Sequence, residues 1–484
     1  MASNLPLTNG FNIASLSPEG KSWHFVGIGG IGMSGLAKML LKNGIKVSGS
    51  DASDSPVINA LLKLGADVKI GHSSVNIPDN THSVVVSAAI KPENPEYQRA
   101  VQMGLKIYKY AQMLGKVMAA YDGVAVSGTH GKITTSGWLS FLLTKAGLAP
   151  NWIVGADIVQ LGDSNGVGNG RFFVAESCEY DRSFLNLSPK IGVILNIEQD
   201  HLDYYKDEAD IIDAFADFAA NIRDEGVIIA NGTDINVQRA LEKASKKLAA
   251  TKHYKIETFG YGTNAAFSAR NISDNQGLSE FDIYHYDNFL GRATISLPGH
   301  HNVLNALAVV GAAVNLGVEP AKIIEILPQF TGMDRRLMLK AQQNDITIVD
   351  DYAHHPTEIR AALRAIRERY NPRRLICVFE PHQYSRTRFL LDDFAQSFKL
   401  ADITIVPEIY FVRDTEQMKQ QVNAQILVER ITGRGSTAIF LPGFDNIVEY
   451  LKHNVKQGDL VVTMGAGNIW KVADEYIQWL GRNS

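Results

Sequence analysis

The chain lacks most of the features that tie a protein to a special environment. Cysteine is scarce: only Cys178 and Cys377 occur in 484 residues, far apart and without metal-ligand spacing. That excludes a disulfide framework and a cysteine-based metal site, and it fits a reducing compartment. No apolar run approaches the roughly 20 residues of a membrane span. The N-terminal MASNLPLTNGFNIASLSPEG has neither the basic start nor the apolar centre of a signal peptide. Charge is balanced, 47 basic against 51 acidic residues for a net −4. No electrostatic case exists for nucleic acid or an anionic membrane. Solenoid-period repeats and low-complexity tracts are absent too. What remains is a globular composition, 45% hydrophobic and 20% charged, for which a cytoplasmic location is expected, in a chain long enough for two to four domains.

What is present is a recurring alternation. The runs HFVGI, KVSGSD, SVVVSAA, GVAVSG, RFFVAE, IGVILNI, GVIIA, ITIVDD, RLICVFE, ITIVPEI and LVVTMGAG read as buried strands. Between the first two, Met33, Leu36, Ala37, Leu40 and Leu41 form one helical stripe that Gly44 ends. Strand–helix alternation predicts an α/β fold, with mostly parallel sheets flanked by helices. Three such series predict three domains. A loose leader spans 1–20, a Rossmann-like domain 21–117, a P-loop-like central domain 118–328 and a Rossmann-like C-terminal domain 329–484. The central domain carries a strand-rich, hairpin-like insertion at about 255–298.

The run 25-FVGIGGIGMSGLA-37 spaces Gly27, Gly29 and Gly32 as G-x-G-x-x-G between a strand and a helix. Glycine lets backbone approach a diphosphate, and the helix start offers its amides to it. Asp51 ends the next strand, placed to accept from a ribose or base. A tight turn without ligand is the plainer reading, and the motif alone does not specify NAD.

The run 127-SGTHGKITTSG-137 also joins a strand to a helix. Gly128, Thr129, His130, Gly131, Lys132, Ile133 and Thr134 form a phosphate loop in which Lys132 bridges β and γ oxygens. The usual loop places a Mg²⁺-binding hydroxyl directly after the lysine. Here Ile133 stands there, and Thr134 follows. Candidate oxygen and nitrogen ligands end the next strands: Glu176 in FFVAESCEYD, and Asn196, Asp200, His201 and Asp203 in NIEQDHLDYY. Ligands of open α/β sheets sit at that carboxyl edge. Further polar clusters follow in GHHNVLNALA (299–308), DDYAHHPTEI (350–359) and EPHQYSRTR (380–388). Arg386 and Arg388 suit anionic groups. Asn302 suits an adenine edge or a helix cap.

In chain order, HFVGIGGIGMSGLA, SGTHGK, NIEQDHLDYY, GHHNVLNALA, TGMDRRL, DDYAHHPTEI, PHQYSRT and GAGNI resemble the Mur ligase family over nearly the whole chain after the leader. The resemblance implies an ATP-dependent amide ligase of peptidoglycan precursor synthesis, closest to members that add L-alanine to UDP-N-acetylmuramate. It implies that Gly29, Gly30, Asp51 and His72 hold UDP. The phosphate loop, His301, Asn302, Arg335, Asp351 and Tyr352 would hold ATP. Thr134, Glu176 and His201 would bind Mg²⁺ or Mn²⁺. Lys132, Glu176, His201 and Arg386 would be catalytic, and His354, His382 and Arg386 would face the substrate and amino acid. A monomer or weak homodimer is expected. The chain departs from the family at Ile133 (usually Thr), Cys178 (usually Asp), Gln383 (often Arg) and Asn468 (often Asp). Three other readings stay open: a ligase recycling a whole peptide onto the same sugar, a binding protein with a degenerate ATPase domain, and a nicotinamide oxidoreductase resting on the first glycine loop.

Overall fold

The computed structural model describes residues 13–247, 253–412 and 414–482. Most of the leader, residues 1–12, lies outside these. Its remaining part is not loose throughout, because Ile13–Leu16 form a 3₁₀ turn and Ile13 is buried.

Three sheets follow one another along the chain. The first has five parallel strands, in the spatial order Asp67–Ile70, Lys46–Asp51, Ser22–Val26, Thr81–Val86, Lys106–Lys109. The chain reverses direction across the sheet at Ser22–Val26, so the first glycine loop opens at a topological switch point. The helix Ile31–Lys42 buries Met33, Leu36, Ala37 and Leu40, as its stripe predicts.

The second sheet has ten strands. Its parallel centre runs through Tyr254–Tyr261, Gly226–Asn231, Ile191–Ile194, Asp122–Ser127, Phe172–Glu176 and Asn151–Ile158. One flank carries the insertion, where Phe267–Asn275, Leu278–His285 and Asn288–Pro298 pair as antiparallel hairpins. The helices Lys132–Lys145 and His301–Asn315 pack together on one face. Both are buried almost all round, which is why neither shows a clean amphipathic stripe. Trp138 of the first helix stacks on Phe330 at 5.2 Å.

The third sheet has six strands, with Asp459–Met464 between Ile346–Asp351 and Arg374–Phe379. Only its edge strand Met338–Gln343 is antiparallel. Apolar clusters cover both faces. The architecture is the three-sheet α/β arrangement read from the alternation. Short, half-exposed edge strands such as Asp67–Ile70 and Met338–Gln343 were absent from that reading, because they carry no buried apolar run.

Candidate functional site

The first loop turns on Gly27, whose φ of 80° suits glycine. A Cβ there would lie 2.7 Å from Ser87 Oγ. The Gly29 amide donates to Asp51 Oδ2 at 2.8 Å, so the carboxylate caps the loop from the next strand. His72 is less available than expected: its Nδ1 meets Ser50 Oγ at 3.0 Å and Glu96 Oε1 at 3.3 Å. Glu96 is fully buried and also bonds His24 and Asn76. Burial opposes its charge, yet those partners hold its pKa below the ordinary value.

The phosphate loop follows Asp122–Ser127, at the carboxyl edge of the second sheet. Gly131, with φ 84°, starts the helix Lys132–Lys145, whose first-turn amides have no intrahelical acceptor. The Asn196 side chain braces the loop: the His130 amide donates to Asn196 Oδ1 at 2.7 Å, and Asn196 Nδ2 donates to His130 O at 3.0 Å. The Lys132 ammonium folds back to the Thr129 carbonyl and forms an ion pair with Glu179 at 2.9 Å. Glu179 is 2% exposed and also lies 3.5 Å from His201 Nε2. Burial resists its ionisation, and Lys132 and His201 overcome that, holding its pKa down. Glu176 lies close enough to feel both Lys132 and Glu179; burial dominates and raises its pKa.

Ile133 and Thr134 face different places. A Cβ built on Gly155 would fall 2.5 Å from Glu176 Oε2 and 3.1 Å from Ile133 Cδ1. Ile133 therefore faces Glu176, and it packs partly buried against the central core. Thr134 lines a separate cavity instead. The helical turn of about 100° per residue separates the two positions, so Thr134 does not take over from Ile133 beside Glu176.

That cavity, of about 820 Å³, opens between the central and third domains. Of the residues expected at ATP, His130, Gly131, Thr134, His301, Asn302 and Asp351 line it. Asn302 donates to Pro298 O at 2.8 Å and accepts from Asn305, so its amide is held rigidly at the wall. Burial pushes the Asp351 carboxyl up to about 6. Arg335 and Tyr352 are placed differently. The Arg335 guanidinium turns into its own domain, bonding Asp350 at 3.0 Å, Gly467 O at 3.0 Å and Gly465 O at 2.7 Å. Its neighbour Arg336 lines the cavity instead, with the Tyr352 ring beneath both guanidiniums. Gly128, Thr129, Lys132 and Ile133 lie outside the cavity lining, on the Glu176–Glu179 side or within the loop.

The third domain closes against the central one through buried polar contacts. Arg386 Nε donates to Asp200 Oδ1 at 3.2 Å, with side chains 8% and 10% exposed. Although burial opposes it, Arg386 holds Asp200 far below the carboxylate range. Thr357 Oγ1 donates to Glu198 at 2.7 Å, and His130 Nδ1 meets Glu358 Oε1 at 3.1 Å. Burial pushes His354 down to about 3. His354 faces His382, which stacks on Tyr410 at 5.3 Å. His354, His382 and Arg386 thus lie together. A gap of only about 10 Å³ remains beside Arg386, lined by Asp200, His201 and Gln383. Glu179, Glu198, Glu358 and Arg336 were not singled out from sequence, although each lies inside a quoted motif.

Family models match three successive stretches: the Mur ligase family catalytic domain over 22–122, the Mur ligase middle domain over 126–313 and the Mur ligase glutamate ligase domain over 335–467. The chain belongs to the Mur ligase family. It is 42% identical over 461 residues to a UDP-N-acetylmuramate–L-alanine ligase of Acetivibrio thermocellus, covering 95% of this chain and 96% of that protein. A ligase of the same name from Clostridium novyi is 42% identical over 464 residues, covering 96% and 98%. Among solved structures, a UDP-N-acetylmuramate–alanine ligase of Thermotoga maritima superposes with TM-score 0.76 at 25% identity, over 96% of this chain and all of that one. A murein peptide ligase of Psychrobacter arcticus gives 0.68 at 27% identity, over 96% and 99%.

Proposed function

We propose that the chain is an ATP-dependent ligase that joins L-alanine to UDP-N-acetylmuramate in the cytoplasm, acting as a monomer or weak homodimer. The observation that carries this reading is the junction of the central and third domains. A phosphate loop, a nucleotide-sized cavity and a buried Arg386–Asp200 contact meet there, in a chain with long, similar relatives of that name. ATP enters the cavity with its adenine towards Asn302 and its phosphates towards the first-turn amides of Lys132–Lys145. Lys132 then exchanges Glu179 for phosphate oxygens. A lactyl carboxylate oxygen attacks the γ-phosphorus, the bond to ADP breaks, and an acyl phosphate forms. The alanine amine attacks the carbonyl carbon, the carbon–oxygen bond breaks, and phosphate leaves while the amine loses a proton. Two anions must approach each other, so positioning and cationic compensation supply most of the catalysis.

Glu176, Glu179 and His201 suit a hard divalent ion by donor type. Buried Glu179 and half-buried Glu176 sit beside one lysine, and a cation there would favour the ionised form of both. Mg²⁺ bound there through Glu176 and His201 would neutralise phosphate charge. Closure of the third domain excludes water from the acyl phosphate.

The test is ADP release by the purified protein with ATP, Mg²⁺, UDP-N-acetylmuramate and a panel of Ala, Ser, Gly and the stem tripeptide. Release that is strongest with L-alanine supports the reading. Strongest release with the tripeptide turns it to peptide recycling, and no release in any mixture supports a degenerate ATPase.

A further inference from the structure

Among the described residues, only one group of three His, Cys, Asp or Glu side chains brings its ligand atoms within 4.8 Å of one another: His130, Glu198 and His355. None of the three was expected to hold a metal. They come from three segments, namely the phosphate loop, the stretch after Ile191–Ile194, and the residue that caps the helix Pro356–Tyr370 of the third domain. His130 Nε2 and Glu198 Oε2 lie 3.4 Å apart, about the edge of a tetrahedron built on zinc–ligand bonds of roughly 2.1 Å. The two imidazole rings are 4.7 Å apart between centroids.

The hydrogen bonds around the group orient it for ligation. His130 Nδ1 lies 3.1 Å from Glu358 Oε1 and donates to it, while Nε2 faces Glu198 Oε2. Although burial opposes it, the two carboxylates push the ring's pKa up to about 9, so an ion bound at Nε2 would displace a proton there. Nε2 is sealed from solvent, and the Glu198 carboxylate is the group it faces. Two electron-rich atoms at that distance call for a cation or a proton between them. The carboxylate behind Nδ1 is the arrangement that fixes and strengthens metal-bound histidines. His355 Nε2 lies 3.3 Å from the Gln199 carbonyl and donates to it. Its Nδ1 accepts from the Thr357 amide at 3.3 Å and caps the helix, a bond that ligation through Nδ1 would replace. Glu198 also accepts from Thr357. Nitrogen-rich donors select borderline ions over Mg²⁺, which prefers oxygen.

We propose that His130, Glu198 and His355 bind one ion of the Zn²⁺ class, which fastens the third domain to the phosphate loop at a place separate from the Glu176–His201 cluster. The ligands bridge two domains, so the ion binds the closed arrangement and holds it closed. His130 and Glu198 also line the large cavity, so a fourth coordination position is open to water from that side.

The experiment is a Co²⁺ titration of the full chain in excess Mg²⁺ without nucleotide, followed by visible absorption. One equivalent of four-coordinate Co²⁺ should give an intense band that Zn²⁺ abolishes by displacement. Glu198→Gln and His355→Asn (the latter keeps a helix-capping side chain) should weaken binding on the order of 100-fold, with circular dichroism reporting that each variant is folded. Glu176→Gln should keep the band. No band in the wild type, or a band lost in Glu176→Gln and kept in the other two, overturns the proposal. X-ray absorption of the zinc-loaded wild type gives a reading independent of any variant. Two imidazoles per zinc are expected, and one or none contradicts the site.

Discussion

Replacing Asp200 with asparagine removes one charge and little volume from the buried contact between the central and third domains. At the observed 3.2 Å, the gross attraction to Arg386 is about 5 kcal/mol with an effective dielectric constant of about 20. Desolvation takes back much of that. Breaking one partner of a buried pair nevertheless costs about 3–5 kcal/mol, because the other charge stays buried and unpaired. Here the arginine has an escape, since the third domain can swing away and return it to water. The cost therefore falls on closure rather than on folding. Asparagine keeps an acceptor oxygen, so the lower figure applies. About 3 kcal/mol lowers the closed population about 100-fold. Initial-rate kinetics should show kcat/KM for the complete reaction falling by about that factor, while the melting temperature moves little. Small-angle scattering should show a larger mean radius than the wild type. Wild-type kinetics within twofold, together with an unchanged radius, would refute the assignment of this pair to closure.

Ile133→Thr places a hydroxyl beside Glu176, where the Ile133 methyl now packs. It should leave activity equal or raised and lower the Mg²⁺ concentration needed for half-maximal rate; a higher requirement would mark Ile133 as an adaptation. Gly155→Ala puts a methyl 2.5 Å from the present position of Glu176 Oε2. The carboxylate must shift, so turnover should fall at least tenfold with about 1 kcal/mol or less lost in stability. Unchanged turnover would mean that Glu176 need not hold its position. Burial raises Glu380 from 4.5 to about 7, and the side chain is 3% exposed. A raised carboxyl stabilises the fold fully below about pH 4.5 and loses that contribution as pH rises through about 7, worth about 3 kcal/mol. Urea unfolding of the third domain should follow that slope in the wild type and lose it in Glu380→Gln.

The alternation of apolar runs and helical stripes made the three sheets legible, because buried parallel strands advertise themselves by composition. The same logic placed the phosphate loop, Glu176 and the 350 and 380 clusters at strand ends, where the structure brings them to one junction. What stayed hidden were choices between neighbours. Arg335 and Arg336 are adjacent, but only the fold shows that Asp350 and the Gly465 and Gly467 carbonyls capture the first while the second lines the cavity. Glu179 and Glu198 each lie two or three positions from a residue that was chosen. Their roles depend on Lys132, His130 and Thr357, which come from distant segments. The fate of Ile133 turned on Gly155, in the strand Asn151–Ile158, which was not among the runs read as strands.

The central claim is that the sugar carboxylate is activated as an acyl phosphate before the amine arrives. UDP-N-acetylmuramate labelled with ¹⁸O in both lactyl carboxylate oxygens, incubated with the protein, ATP, Mg²⁺ and L-alanine, tests this by mass spectrometry of the released phosphate. Each inorganic phosphate should carry one ¹⁸O, because the bridging oxygen leaves with phosphorus when the amide forms. Phosphate released without label would contradict it.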